Sequence, residues 1–431
     1  MSFASRLIEQ TADAFMHRHH MHPEALNAPE LVSAAREEIR RGLAGERSSL
    51  GMFPAYLRGD AIPREDEPVL VIDAGGTNLR AARMRSLGGK LLCEEIRRTR
   101  MPGTSGEIGV EEMFEAIAEL VLPLSEGCER GAFCFSYPCD VLPDGDGIMV
   151  RLTKELNVRG LVGSRICAPL EAAMQRLGAK GERRWRLLND TVCSMLGGKA
   201  QCGRAYDDYI GLILGTGTNT CAPFAAERIT KSPEAVAMGG DVLVNLESGG
   251  FDRFPRGDGD LRLDAMSEDS GSQWEEKAVS GVYLPLLMDQ LVLLIAEDGA
   301  MARESAERLL TMELEMPEIN ILCGEETADD PFAFLSGEDR AFLCAVTRLL
   351  LDRASKLTAC ILSAIVLERG RAAGERVCIC ADGTTIRKNP LLRPRTEQYL
   401  RTLLSPAGVS AEFFEVNDAT LLGAAIAGLS E

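Results

Sequence analysis

Three times in 431 residues an apolar run opens into a glycine–threonine turn. VLVIDAGGTN begins at Val69, YIGLILGTGTN at Tyr209 and RVCICADGTT at Arg376. Runs rich in Val, Ile and Leu that end in Gly, Thr and Asn read as buried strands followed by tight turns. The first two also echo each other: a strand, a Gly-Thr turn, then asparagine. That weak internal repeat allows two turns to face each other across a cleft.

The intervening sequence supplies helices. Helical periodicity runs from the N-terminus to about Ala55 and is broken by PREDEP, Pro63 to Pro68, which reads as a linker. GVEEMFEAIAELVLPL from Gly109 and LEAAMQRLGAK from Leu170 have the amphipathic helix period, and a long helical pattern extends from Glu338 to about Arg369. GAFCFSYP from Gly131 and WRLLNDT from Trp185 are short strands, the second ending at a polar tip. Strands alternating with helices predict an α/β sheet with ligands at the strand ends, and the chain length predicts two lobes. LPLLMDQLVLLIAEDGA from Leu284, interrupted by Asp289 and Gln290, is too short to span a bilayer and reads as a buried helix.

Composition removes several classes. A formal charge of −18, from 65 acidic and 47 basic residues, repels nucleic acid and anionic membrane, so neither is an expected partner. The 13 cysteines are odd in number and lack a secreted framework, and MSFASRLIEQTADAF lacks a signal-peptide pattern; both predict reduced thiols in a cytoplasmic protein. Cys378 and Cys380 are expected on one strand face as core packing. All four histidines lie in MHRHHMH, at His17, His19, His20 and His22, which is expected to be a solvated helical segment rather than a metal tract. With no histidine beyond position 22, acid–base chemistry falls to carboxylates, lysine or cysteine.

The common phosphate motifs fail. The Gly-Gly-Lys sites at Lys90 and Lys199 are followed by Leu91 and Ala200, not Ser or Thr, and Arg262 stands where a dinucleotide fingerprint starting at Gly257 and Gly259 needs its third glycine. The Asp-Gly repeats around Asp144 and Asp258 lack calcium-loop spacing and read as solvated turns. What remains is a hairpin cradle. Gly75 and Gly76 let backbone N–H groups approach phosphate, Thr77 and Asn78 add hydrogen bonds, Arg80 adds charge, and Asp73 faces a magnesium ion through water. Taken alone, the same string also fits an ordinary tight hairpin.

Its accompanying motifs decide between them. MFPAYL from Met52, DAGGTNLR from Asp73, FSYPC from Phe135, LTKEL from Leu152, LNDTV from Leu188, LGTGTNTC from Leu214, VNLESGGF from Val244, SQWEEKAVSGVYL from Ser272, ADGTTIRKNP from Ala381 and NDATLLGAAI from Asn417 resemble, in collinear order, the hexokinase and glucokinase family. The resemblance implies a two-lobed actin-like ATPase fold of ribonuclease H-like type, with mixed β-sheets flanked by helices and a sugar/ATP cleft. It implies residues 1–66 as an N-terminal helical segment on the large lobe, 67–188 as the small lobe, 189–415 as the large lobe and 416–431 as a C-terminal helix returning to the small lobe.

Carried over position by position, the resemblance implies Ser136, Thr153, Lys154, Asn189, Asp190, Asn219, Glu247, Gln273 and Glu276 as the sugar shell. Asp190 is the implied general base and Lys154 its catalytic partner. Asp73, Gly75, Gly76, Thr77, Asn78, Arg80, Gly215, Thr216, Gly217, Thr218, Gly383 and Thr384 are implied for the nucleotide, with magnesium carried by ATP and no protein metal ligand. Such amides, carboxylates and hydroxyls suit a ring of sugar hydroxyls that donate and accept. The implied activity is transfer from MgATP to the 6-hydroxyl of a hexose, glucose first among them, by a monomer or homodimer. The alternative is a catalytically weak sugar-binding or regulatory protein of the same fold; an acetate kinase or chaperone ATPase is disfavoured by the FSYPC, LTKEL and LNDTV series. Glu155 and Leu156 stand where the family has Gly-Phe, Ser248 where it has Trp, and Ala419 and Leu422 where small and basic residues are usual.

Overall fold

The structure, a computed structural model, describes residues 3–152 and 156–430. Its two main sheets repeat one topology. The strands are β1 (Phe53–Arg58), β2 (Pro68–Ala74), β3 (Asn78–Leu87), β4 (Lys90–Arg100), β5 (Arg130–Phe135), β6 (Arg184–Leu188), β7 (Asp208–Leu214), β8 (Thr218–Ala225), β9 (Asp241–Asn245), β10 (Arg376–Asp382) and β11 (Ser410–Glu415). The first sheet has the order β6-β5-β2-β3-β4 and the second β1-β9-β8-β7-β10-β11. In each, the first strand runs antiparallel to a hairpin partner and parallel to a later strand that follows a helix. The match of β2-β3-β4-β5-β6 to β7-β8-β9-β10-β11 accounts for the repeated Gly-Thr turn: both β2–β3 and β7–β8 are hairpins closed by one. Asp73 pairs with Arg80 across the first, and Leu214 with Thr218 across the second.

The helices that matter here are α1 (Phe3–Arg18), α2 (Ala28–Ala44), α3 (Val110–Val121), α4 (Cys167–Arg176), α5 (Asp190–Gln201), α6 (Tyr283–Asp298), α7 (Gly337–Glu368), α8 (Leu392–Leu404) and α9 (Ala419–Leu429). α1 and α2 pack on α7, whose buried face includes the wholly enclosed Arg353, held by Asp260 at 2.6 Å. α5 leaves the first sheet at β6 but packs on β7 and β10 of the second; α9 leaves the second at β11 but packs on β2 and β5 of the first. The two helices cross where each carries glycine. A Cβ on Gly423 would lie 1.8 Å from the Cys193 carbonyl oxygen, and one on Gly197 would lie 2.3 Å from that of Ala419. Hydrogen in place of a side chain is what lets these backbones touch.

Three sequence expectations are corrected. Residues 53–58 are not helical: FPAYLR pairs antiparallel with β9, with an irregularity between Pro54 and Arg58, so the N-terminal segment contributes a strand to the second sheet. Asp146 is not solvated; it accepts N–H bonds from Ile166, Cys167 and Ala168 at 2.7–3.2 Å and anchors the start of α4. His19 and His22 are buried, not solvated, each hydrogen-bonded to a carboxylate. The expectation for Cys378 and Cys380 holds: they lie side by side in the core with sulfurs 3.9 Å apart, and none of the thirteen cysteines is bridged in the structure. Among the described residues, no helix is long and apolar enough to cross a membrane.

Candidate active site

The start of α5 organises the site. Asn189 is extended, with φ −73° and ψ 151°, and its side-chain oxygen accepts the Thr191 N–H at 2.8 Å, a helix cap of the usual chemistry. Asp190 is thereby the first helical residue, at the end of β6, and the Thr191 hydroxyl donates to it at 3.4 Å. Across from it, β8 presents Asn219. Its amide donates to Asn245 at 2.7 Å, to Glu247 at 3.3 Å and to Asn189 at 3.4 Å. Its side-chain oxygen, Oδ1, accepts the N–H groups of Thr220 at 2.7 Å and Ser248 at 3.4 Å. Asn245 in turn donates to Glu247 at 2.7 Å.

The second carboxylate, Glu276, lies in the short helix Trp274–Val279 and accepts the Thr218 backbone N–H at 3.0 Å. This bond ties the polar cluster to the β7–β8 turn. Gln273 precedes that helix and packs over Gly249, its Oε1 3.2 Å from where a Cβ would project. Glu247 and Gln273 both have φ +52°, a left-handed backbone that costs energy outside glycine and recurs at functional sites. Burial pushes the Glu247 carboxyl above its ordinary range; the hydrogen bond from Asn245 opposes the shift and the charge of Asp190 adds to it. Burial likewise raises Glu276, against the Thr218 N–H bond and with the nearby charge of Glu247. Two desolvated carboxyls held in fixed positions by amides suit the recognition of a neutral polyol, whose hydroxyls replace lost water.

Three backbone segments meet beside this cluster. The turn Gly215 to Gly217 closes on itself through Gly215 N–H to Gly217 O at 2.9 Å, and Gly281 N–H donates to Gly215 O at 2.8 Å. The Thr385 hydroxyl donates to the same oxygen at 2.9 Å. Gly383 has φ +117°, and a Cβ there would lie 2.3 Å from the Leu214 oxygen. A glycine-lined seam with Thr216 and Thr384 exposed beside it fits a phosphate-bearing nucleotide, which needs close backbone approach. In the first turn Gly75 N–H donates to Asn78 O at 2.9 Å, while Thr77 and Asn78 are exposed. The Tyr137 hydroxyl secures it from below, donating to Gly75 O at 3.0 Å, and Ser136 N–H bonds Ala74 O at 3.1 Å.

The structure brings together Asn189, Asp190, Asn219, Glu247, Gln273 and Glu276. Ser136 sits at the base of the first turn. Thr153 and Lys154 lie outside the described residues. Arg80 is engaged within the protein: it donates to Asp73 at 2.9 Å and Asp418 at 2.7 Å, and Thr420 also donates to Asp73 at 3.0 Å. Here Arg80 links β3 to the start of α9. Sequence reasoning missed Asn245, Tyr137, Gly281 and Thr385. Asn245 was within reach, since it stands two residues before Glu247 at the end of an apolar strand.

Two sheets of one topology, exchanged helices and a polar cluster with glycine turns at their strand ends define the two-lobed actin-like ATPase fold of ribonuclease H-like type. Hexokinase family models match residues 11–200 and 209–430, and the chain belongs to the hexokinase family. It is 27% identical to hexokinase-3 of Homo sapiens, over 98% of this chain but 46% of that protein. It is likewise 27% identical to hexokinase-1 of Arabidopsis thaliana, over 93% of this chain and 87% of that one. The chain thus spans about half the length of the mammalian relatives it matches. Among solved structures, a hexokinase from Schistosoma mansoni complexed with glucose superimposes with a TM-score of 0.79 at 22% identity, covering 99% of this chain and 100% of that one.

Proposed function

We propose that the chain is an ATP-dependent hexose kinase that transfers the γ-phosphoryl group of MgATP to the 6-hydroxyl of a hexose. The observation that carries this reading is the bond from Thr218 N–H, in the second glycine turn, to Glu276, in the buried amide–carboxylate cluster. It sets a sugar-type site and a phosphate-type turn side by side. In this reading Asn189, Asn219, Glu247, Gln273 and Glu276 hold the sugar hydroxyls, and Ser136 and Thr153 complete the shell from the first lobe. Asp190 accepts the proton of the attacking hydroxyl; a carboxylate is a weak base for an alcohol, so that transfer comes late and alignment does most of the catalysis. Lys154, by family resemblance, neutralises charge on the transferring group. The nucleotide lies along Gly215–Thr218 and Gly383–Thr384, with its other face against Gly75–Asn78 and Asp73. Magnesium arrives with the nucleotide and supplies charge neutralisation at the phosphates.

The test is ADP release with a panel of glucose, mannose, fructose, glucosamine and N-acetylglucosamine, for the unmodified chain and Asp190→Ala. Stimulation by at least one hexose, abolished in the variant while nucleotide binding persists, supports the assignment. No stimulation above the variant by any sugar refutes it.

A further inference from the structure

The histidine-rich turn after α1 is built from more than a buried hydrogen bond. Asp13 and His17 stand four residues apart on one face of α1. Beyond the helix the chain doubles back: His20 takes φ +56°, and the N–H groups of Met21 and His22 both return to Met16 O, at 2.8 and 3.1 Å. This lays the His22 imidazole against that of His17, with ring centroids 3.8 Å apart and planes within 25°. Both rings then address the same carboxylate. His22 Nε2 is 2.9 Å from Asp13 Oδ1 and His17 Nε2 is 3.9 Å from Asp13 Oδ2. Glu24 adds a second carboxylate, with Oε2 3.5 Å from His17 Nε2.

We infer that Asp13, His17 and His22 form a three-residue site for a divalent transition-metal ion of the zinc type, with water in the fourth position and Glu24 beside it. One ligand atom from each of Asp13, His17 and His22 lies within 4.8 Å of the others, and Glu24 Oε2 stands at the edge of this group, 3.5 Å from His17 Nε2. Tetrahedral bonds of about 2.0–2.1 Å put ligand atoms roughly 3.3 Å apart, and the stacked rings reach this arrangement when the exposed His17 ring turns out of the stack so that both Nε2 lone pairs meet at one point. The donor set selects the ion: two imidazoles with a carboxylate favour zinc, cobalt or nickel over calcium and magnesium, which take oxygen. The site is open on one side, with Asp13 and Glu24 more than half exposed, His17 nearly so and His22 buried, so an ion enters from solvent.

Without metal, His22 accepts the Glu24 N–H at Nδ1, at 3.2 Å, which directs its Nε2–H toward Asp13. Metal binding replaces that Nε2 proton and moves it to Nδ1, where Glu24 Oε2 lies 3.9 Å away. The long backbone contact is given up in exchange for coordination. Bound metal would clamp the end of α1 to the turn leading into α2, two helices that share α7 as their support.

The experiment uses the full chain without a histidine tag, stripped with chelator, titrated with zinc by calorimetry and with cobalt by visible absorption. One ion per chain, tetrahedral cobalt bands, a raised Tm with zinc and a loss of affinity of roughly tenfold or more in His17→Ala and Asp13→Asn are expected. Both positions are half exposed, so the variants are expected to keep the wild-type circular dichroism. His20→Ala, outside the cluster, is expected to bind as the wild type does. Absence of one-to-one binding, or equal affinity in His17→Ala and the wild type, overturns the inference; so does an equal loss in His20→Ala.

Discussion

Gly423→Ala tests the crossing of α5 and α9 on which the joining of the two lobes depends. In an exposed helix this substitution stabilises by about 1 kcal/mol, because alanine loses less backbone entropy. Here the new methyl would meet the Cys193 carbonyl oxygen at 1.8 Å and its carbonyl carbon at 2.5 Å. Both are backbone atoms of α5, so no rotamer change relieves the overlap, and the helices must separate. Forcing a methyl into such a contact costs about 3 kcal/mol, the upper end for overpacking, leaving a net loss of about 2 kcal/mol. For a large domain that is a fall in Tm of roughly 4 °C. Thermal unfolding followed by circular dichroism reads it, with Gly337→Ala as control: Gly337 opens α7 with nothing within 4 Å of its Cβ direction, and its variant should be neutral or more stable. Because propensity and overlap have opposite signs, a Gly423→Ala Tm equal to or above wild type would refute the close-crossing argument.

Asp260→Ala should leave the wholly buried Arg353 without its carboxylate partner and cost about 3–5 kcal/mol in chemical denaturation; a loss under about 1 kcal/mol would show the pair to be dispensable. Asp289, half-buried on α6, has its carboxyl pushed up by burial to about 6. The folded chain therefore holds this proton more tightly than the unfolded chain. Stability from this group is full below about pH 4 and is lost as pH rises to about 6. Asp289→Asn should gain about 1 kcal/mol at pH 7, after discounting for solvent exposure, and nothing at pH 3.5; equal gains at both would contradict the assignment. Asn245→Ala removes the amide that Glu247 and Asn219 share and, under the proposed activity, should raise the sugar KM roughly tenfold with the nucleotide KM unchanged. Steady-state ADP release against each substrate separates the two.

Much of the fold was legible as local pattern. Strands ending in Gly-Thr, the long helix at 337–368 and the buried helix at 283–298 follow from apolar periodicity and turn chemistry, which act between near neighbours. The helical reading ran on to about Ala55, into β1, because a six-residue strand is too short to show a period of its own, and its partner, β9, is almost two hundred residues away. His19 was misread for the same reason, since its partners Asp258 and Asp298 are remote in sequence, whereas His22 turns back onto the nearby Asp13 through a bend that the helical pattern does not show.

The candidate site divides along the same line. Collinear motifs named Asn189, Asp190, Asn219, Glu247, Gln273 and Glu276, because residue type and order are properties of the string. That Asn245 completes the cluster, that Arg80 is turned onto Asp73 and Asp418, and that three glycine-bearing segments share one seam were decided by tertiary structure alone. Hydrogen-bond partners and excluded volume depend on which segments meet in space, and neither composition nor periodicity carries that information.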